Sequence, residues 1–133
     1  MTKKFDKFIN SIKKWASSNG DIKAIAIVGS WARNSAKATS DIDLIIIIEN
    51  IEKYLNNHDW LNNFGTVINI KDENWGLVKV KRVFYKNSYE VEYGLTTDKW
   101  IKLNPINEGA KRVVAGGFKI LIDKNNLLAN LLK

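Results

Sequence analysis

Two aspartates separated by a single residue, Asp41 and Asp43, are the side chains whose types and spacing best suit chemistry. They begin a β-branched run in which residues 42–49 predict a strand. Side chains alternate across a strand, so both carboxylates are expected on one face. Two carboxylates held this close repel each other unless a cation lies between them. Because hard oxygen ligands with room for water and phosphate suit Mg²⁺, the pair predicts a magnesium site.

A glycine–serine turn formed by Gly29 and Ser30 precedes the aspartates in the sequence. It ends a buried strand predicted over residues 23–28 and opens a short helix predicted over residues 30–36. Glycine permits close backbone approach, and free N–H groups at a helix N-terminus bind phosphate oxygens. If this turn and Asp41 meet at one site, the two strands are antiparallel neighbours, and a phosphate cradle converges with the metal ligands.

The segment that contains the turn and the aspartates resembles the signature of the polymerase-β-like nucleotidyltransferase superfamily. Its small members, the minimal nucleotidyltransferase domains and the bacterial aminoglycoside adenylyltransferases, usually carry Gly-Ser-x-Ala-Arg-Gly ahead of Ser-Asp-x-Asp-Leu. Here the chain reads Gly-Ser-Trp-Ala-Arg-Asn over residues 29–34 and Ser-Asp-Ile-Asp-Leu over residues 40–44. Asn34 replaces the usual glycine, and asparagine tolerates a left-handed backbone better than most residues, so we expect the turn to be kept. With its flanking strands, the resemblance covers residues 22–50.

The resemblance implies an enzyme that transfers a nucleoside monophosphate, AMP from ATP by analogy with the small members, to an acceptor hydroxyl on a small molecule or a protein. It implies two Mg²⁺ ions held by Asp41, Asp43 and a third carboxylate. The nucleotide-binding residues that it implies are Gly29, Ser30, Arg33 and Ser40. For Arg33, contact with phosphate and pairing with a carboxylate are both open.

Two glutamates on a later predicted strand, residues 89–96, are candidates for the third carboxylate that this superfamily uses. Glu90 and Glu92 share a face by alternation, and glutamates are otherwise disfavoured in strands. We prefer Glu92 as the third metal ligand or general base and keep Glu90 as the alternative. The superfamily more often has aspartate here, and glutamate reaches one methylene further. The competing interpretation is a solvent-facing edge strand.

The elements that must position these residues mix helices and strands without strict alternation, which predicts an α/β or α+β domain with a mixed, mostly antiparallel sheet. A chain of 133 residues with 45% hydrophobic side chains predicts a single domain over residues 1–133, which the resemblance implies to be a nucleotidyltransferase domain. The predicted strands are 23–28, 42–49, 66–70, 77–85 and 89–96, with 118–122 as strand or helix. The predicted helices are 3–18, 51–62, 100–102 after a cap at Asp98, and 125–132. Asn87 and Ser88 predict a tight hairpin.

The charge of the chain is unevenly distributed. The net charge is +7, yet residues 41–98 carry ten acidic against six basic side chains, between basic segments on either side. A carboxylate cluster beside cations that attract a polyphosphate fits this pattern, as does a surface of solvated lysines. Lys79 and Lys81 share a strand face with Arg82 opposite, and we favour a solvated face there over a contact with RNA or DNA.

Several other functions are excluded or weakened by composition. The absence of Cys rules out disulfides and thiolate metal sites, and His58, the single His, cannot complete a zinc site, so we expect it at the surface. No P-loop or dinucleotide-binding motif occurs. No apolar run approaches the length of a membrane span, and the N-terminus lacks the apolar core of a signal peptide, so a cytoplasmic location is expected.

Partners and alternatives follow from the same features. Neither a membrane nor a nucleic acid is expected as a partner, whereas a homodimer or a helical partner protein could complete an acceptor site, because little chain follows residue 100 to build an acceptor domain. Trp31, Trp75 and Trp100 could line a nucleotide or acceptor pocket, but core packing or a half-buried surface is favoured for each. The alternative function is a catalytically silent antitoxin or nucleic-acid-binding module.

Overall fold

A β-sheet with helices packed on it is formed by residues 3–31, 41–86, 89–102, 118–124 and 128, the part of the chain that the computed structural model describes. Its strands are β1 (Ile22–Val28), β2 (Ile42–Ile48), β3 (Val67–Trp75), β4 (Val78–Tyr85), β5 (Glu90–Thr96) and β6 (Phe118–Asp123). Its helices are α1 (Lys3–Ser17), α2 (Ile51–Leu55) and α3 (Lys99–Lys102), with 3₁₀ segments at Gly29–Trp31 and Asp59–Phe64.

The six strands lie in the order β3-β4-β5-β2-β1-β6. Strands β2 and β5 run parallel, and the other four neighbouring pairs are antiparallel. The prediction of a mixed, mostly antiparallel sheet in an α/β fold is thereby confirmed. The antiparallel pairing of β1 with β2 is also confirmed, and it brings the turn after β1 to the start of β2.

The helix α1 covers one face of the sheet, because its apolar residues recur every three or four positions. Its buried side chains meet the 3₁₀ segment Asp59–Phe64 in an aromatic cluster. Trp15 stacks on Trp60 with ring centroids 5.2 Å apart and meets Phe64 edge-on at 5.5 Å. The helix ends where the Asn19 side chain donates to the carbonyl of Trp15 at 2.8 Å.

The central strand β2 is buried on both faces, which explains its unbroken run of isoleucines. Ile42, Leu44 and Ile46 face α1, whereas Ile45 and Ile47 face a second, smaller core that contains Trp100 and Leu128. Alternation along β2 therefore puts Asp41 and Asp43 on the face opposite α1. We call this surface the site face.

Two predicted elements differ in extent from the observed ones. The helix predicted over residues 51–62 stops at Leu55, because the Asn57 side chain accepts the N–H of Asp59 at 2.8 Å and starts a separate 3₁₀ segment. The strand predicted to end at Ile70 continues to Trp75. The polar residues there pair with β4 through a hairpin at Gly76, whose φ of 77° favours glycine.

The remaining predicted elements are found where the structure describes them. The segment 118–122 is a strand, and a short helix begins at Lys99. Strands β4 and β5 pair as a hairpin, although Asn87 and Ser88 lie outside the described residues, as do residues 32–36 and most of the predicted helix 125–132. In the described part of the chain, no helix has the length and apolar character that crossing a membrane requires.

Candidate active site

Three neighbouring strands bring the candidate site together. In the ladder, Asp43 of β2 lies opposite Val28 at the end of β1 and opposite Glu92 of β5. Because β2 is parallel to β5, the starts of both strands lie at the same edge of the sheet. The positions of the two acidic pairs, 41/43 and 90/92, thus follow from backbone pairing.

Four carboxylates converge on the site face. One oxygen each from Asp41, Glu90 and Glu92 lies within 4.8 Å of the other two. Asp43 lies beside Glu92, close enough for the two side chains to share a hydrogen bond. Asp41 is exposed and the other three are half-buried, so the cluster is open to solvent on one side.

Burial and the mutual repulsion of the carboxylates raise pKa values within the cluster. Burial, then the hydrogen bond to Glu92 and the negative charges of Glu92 and Asp41, raise the pKa of Asp43 to about 8, while Arg82 acts in the opposite direction. Burial, followed by the hydrogen bond with Asp41 and its charge, also raises the pKa of Glu90. Asp43 therefore holds a proton at neutral pH unless a cation replaces it.

The donor set fits a hard divalent cation. All candidate ligands are carboxylate oxygens, the type that Mg²⁺ prefers. The Oδ1 atom of Asp43 is buried and makes no hydrogen bond to the described part of the chain. A buried carboxylate oxygen without a donor is costly unless an ion or water satisfies it. Asp41, Asp43, Glu90 and Glu92 are thus the residues that could hold the ion.

The turn after β1 closes against this cluster. Gly29 has φ +76° and opens the 3₁₀ turn Gly29–Trp31. A Cβ atom at this position would lie 2.8 Å from Oδ2 of Asp43, so the site requires glycine for both its backbone angle and its missing side chain. The backbone of the turn and the second aspartate are therefore in direct contact, as the sequence led us to expect.

Arg82 joins the site as a residue that the sequence analysis did not assign to it. The guanidinium of Arg82 pairs with Oε1 of Glu92 through Nη2, and its Nε lies 3.4 Å from Oε2 of Glu73. The ladder places Arg82 directly opposite Glu92. Alternation had put Arg82 on the other face from Lys79 and Lys81, but only the register of β4 against β5 reveals its acidic partner.

Several residues proposed from the sequence are not described at the carboxylate cluster. Arg33 and Ser40 lie outside the described residues, and for Ser30 the backbone alone is described. Trp31 is buried and stacks on Phe5 of α1, with ring centroids 3.9 Å apart. Trp100 is buried in the smaller core, whereas Trp75 is 68% exposed.

The solvated face predicted on β4 is wrong for Lys81. This side chain is only 3% exposed and lies on the α1 side of the sheet. Its ammonium donates to Asp72 at 2.9 Å and contacts Nε2 of His58 at 2.9 Å. Lys81 is buried because the extension of β3 supplies Asp72 as its partner, and that extension was not visible in the sequence. His58 is exposed, as expected.

Comparisons with known proteins identify a matching family, a relative in sequence and a similar solved structure. A profile of the family described as streptomycin adenylyltransferase matches residues 2–133. A protein of Methanocaldococcus jannaschii named "Putative protein adenylyltransferase MJ1215" is 37% identical over 59 residues, which are 44% of this chain and 69% of that protein. The crystal structure of an aminoglycoside 6-adenyltransferase from Bacillus subtilis superposes with a TM-score of 0.61 at 12% identity.

The fold and the carboxylate site define a nucleotidyltransferase. The chain belongs to the streptomycin adenylyltransferase family. The superposition on the Bacillus subtilis enzyme covers 89% of this chain but 40% of that one, and at this identity the likeness concerns the fold. The chain thus spans less than half the length of that enzyme.

Proposed function

We propose that this chain transfers AMP from ATP to an acceptor hydroxyl in a Mg²⁺-dependent reaction, as a single domain over residues 1–133. The observation that supports this most directly is the convergence of Asp41, Asp43 and Glu92 beside Gly29. A cytoplasmic location remains our expectation. We keep two Mg²⁺ ions as the proposed number, since four carboxylates offer enough oxygens for two.

The residues divide the work between binding and proton transfer. Asp41, Asp43 and Glu92 would hold the metal, which when bound neutralises the charge on the triphosphate and on the leaving pyrophosphate. The backbone at Gly29 and Ser30 would bind the β- and γ-phosphates, and Arg33 and Ser40 are proposed to add contacts to the nucleotide. Glu92 would accept the proton of the acceptor hydroxyl, for which hydrogen-bond range of that hydroxyl is required.

Glu92 is favoured over Glu90 as the third carboxylate because the ladder pairs it with Asp43. We expect Glu92→Gln to lower kcat about 100-fold or more, since it removes an oxygen needed both for metal and for the proton. Glu90→Gln should lower it about tenfold or less. Glu49→Gln, an exposed glutamate just after β2, is the matched control. A greater loss in Glu90→Gln would reverse the assignment.

The acceptor is proposed to be a hydroxyl of a protein side chain or of a small molecule. The name of the Methanocaldococcus jannaschii relative makes a protein the first acceptor to test, and that of the Bacillus subtilis enzyme makes an aminoglycoside the second. The nucleic-acid-binding alternative has lost one support, because Lys81 is buried rather than part of a basic face.

The direct test is transfer of label from α-³²P-ATP to a panel of acceptors in the presence of Mg²⁺. Label should appear in at least one acceptor class, including the protein itself, and pyrophosphate should be released in equal amount. Asp43→Asn should abolish the transfer, whereas Asp6→Asn, an exposed aspartate of α1, should not. No transfer with any nucleoside triphosphate and any acceptor would contradict the proposal.

A further inference from the structure

A line of alternating charges crosses the site face from strand to strand. Glu73 lies on β3, Arg82 on β4 and Glu92 on β5, and the arginine contacts both glutamates. Their side chains are 32%, 31% and 26% exposed, respectively. The three residues form a half-buried network rather than an isolated surface pair, and such networks hold their geometry better.

Each end of this line is anchored. Oε1 of Glu73 accepts the indole N–H of Trp75 at 3.0 Å, and Oε2 lies 3.4 Å from Nε of Arg82, an ion-pair contact without a hydrogen bond. Arg82 in turn lies between two carboxylates, with Glu73 3.4 Å from its Nε and Glu92 paired with its Nη2. Its planar guanidinium therefore has little freedom to rotate away from the site.

The contact acts on one oxygen of Glu92. Arg82 pairs through Nη2 with Oε1 of Glu92, a side chain that lies beside Asp43. A glutamate has more rotatable bonds than an aspartate, so a glutamate in a metal site loses more conformational freedom when it is ordered. An arginine that orders it beforehand reduces that loss at the moment of binding.

We propose that Arg82, braced by Glu73, is a positioning residue that holds Glu92 in its active orientation while placing one positive charge beside the metal-binding carboxylates. The inference rests on the proposed function, because it concerns the same site. The inference predicts that Arg82 affects divalent-cation binding and the rate of AMP transfer in opposite directions. The positive charge of Arg82 opposes the binding of a divalent cation, whereas its contact with Glu92 supports the reaction.

The test compares Arg82→Gln with wild-type protein in two measurements. Mn²⁺ affinity without nucleotide, followed by electron paramagnetic resonance at low salt, should rise about two- to tenfold, because a nearby positive charge is removed. The kcat for AMP transfer should fall about 10- to 100-fold, because Glu92 is no longer oriented. The KM for ATP should change little, since Arg82 acts through Glu92.

Further variants separate positioning from charge. Arg82→Lys keeps the positive charge, so Mn²⁺ affinity should stay near the wild-type value while kcat falls, because an ammonium cannot bridge both glutamates in the same plane. Glu73→Gln should lower kcat in wild-type protein but have little further effect in Arg82→Gln, because Glu73 acts through the arginine. Lys79→Gln, on the same strand but the opposite face, should change neither measurement.

The outcomes distinguish the inference from the proposed function. If wild-type protein neither binds Mn²⁺ nor transfers AMP, the proposed function fails and the inference fails with it. If wild-type protein does both and Arg82→Gln matches it in kcat, the inference alone is wrong. A parallel loss of Mn²⁺ affinity, kcat and thermal stability in Arg82→Gln would assign the residue a purely structural role and also overturn the inference.

Discussion

At the scale of single residues, the site combines several carboxylates with few groups that compensate their negative charge. Asp43 is the most perturbed member, because burial, then its hydrogen bond to Glu92 and the charges of Glu92 and Asp41, raise its pKa. Arg82 is the cation that the described residues place against Glu92. Two consequences of this crowding of carboxylates can be measured without knowing the acceptor.

The first concerns stability and pH in metal-free protein. The pKa of Asp43 is raised from 3.8 to about 8, so the native state binds more protons than the unfolded state between these values. Its stabilising effect is therefore complete below about pH 4 and is lost as the pH rises to about 8. We expect the Tm in EDTA to fall over this range more steeply in wild-type protein than in Asp43→Asn.

Added Mg²⁺ provides the complementary measurement for this prediction. It should raise the Tm of wild-type protein at pH 8 more than at pH 5, since protons compete with the ion at low pH. An equal pH slope in wild-type protein and Asp43→Asn would show that this carboxylate is not buried as described.

The second concerns the turn after β1. Gly29→Ala should lower the free energy of unfolding by about 1–3 kcal/mol, because φ is +76° and the new Cβ would lie 2.8 Å from Oδ2 of Asp43. It should also weaken Mn²⁺ binding by displacing that carboxylate. Gly20→Ala is the control, since among the described residues other than its chain neighbours no heavy atom lies within 4 Å of a Cβ there. Equal unfolding curves for both variants would contradict this account.

At the scale of elements, the pairing of β1, β2 and β5 positions the site, and α1 supports it from the opposite face. One link between the two is the stack of Phe5, near the start of α1, on Trp31 in the 3₁₀ turn. The turn that is proposed to bind phosphate is thus packed directly on the helix.

This link predicts a difference between two phenylalanines of α1. Phe5→Ala and Phe8→Ala should each destabilise the protein by about 3–5 kcal/mol, as expected for a buried phenylalanine. Only Phe5→Ala should also raise the KM for ATP, because Phe8 instead packs on Phe64 and Tyr89. Chemical denaturation measures the loss of stability. Steady-state kinetics, at a temperature below the melting transition of both variants, measures the KM. The same KM in both variants would mean that the stack does not hold the turn.

At the scale of the whole molecule, one sheet separates a large aromatic core under α1 from the acidic site face. The excess of positive charge lies in the segments on either side of residues 41–98, so the acidic cluster belongs to a basic protein. Long-range attraction of an anionic nucleotide and local binding of its counter-ion are therefore compatible.

A thermal-shift measurement tests this arrangement. At about 100 times its Kd, Mg²⁺–ATP should stabilise the protein by about 2.7 kcal/mol, whereas ATP in EDTA should have much less effect. The shift should vanish in Asp43→Asn and persist in Asp6→Asn. Stabilisation by RNA that fades with salt and ignores Asp43→Asn would instead favour the nucleic-acid-binding alternative.

Local chemistry in the sequence was sufficient to predict much of this molecule. The period of α1, the β-branched run of β2 and the spacing of Asp41 and Asp43 are local properties, so they predicted the elements and the shared face. The motif around Gly29 predicted the superfamily, and the antiparallel return of the chain followed from it. The choice between Glu90 and Glu92 could not be made in this way.

Only the tertiary structure decided which distant side chains meet. The register of β5 against β2 pairs Glu92 with Asp43, and the register of β4 against β5 brings Arg82 to Glu92. The extension of β3 supplies the partner that buries Lys81. These contacts depend on pairing between segments far apart in the chain, where a shift of one residue would turn every side chain to the other face. Local patterns carry no information about that register.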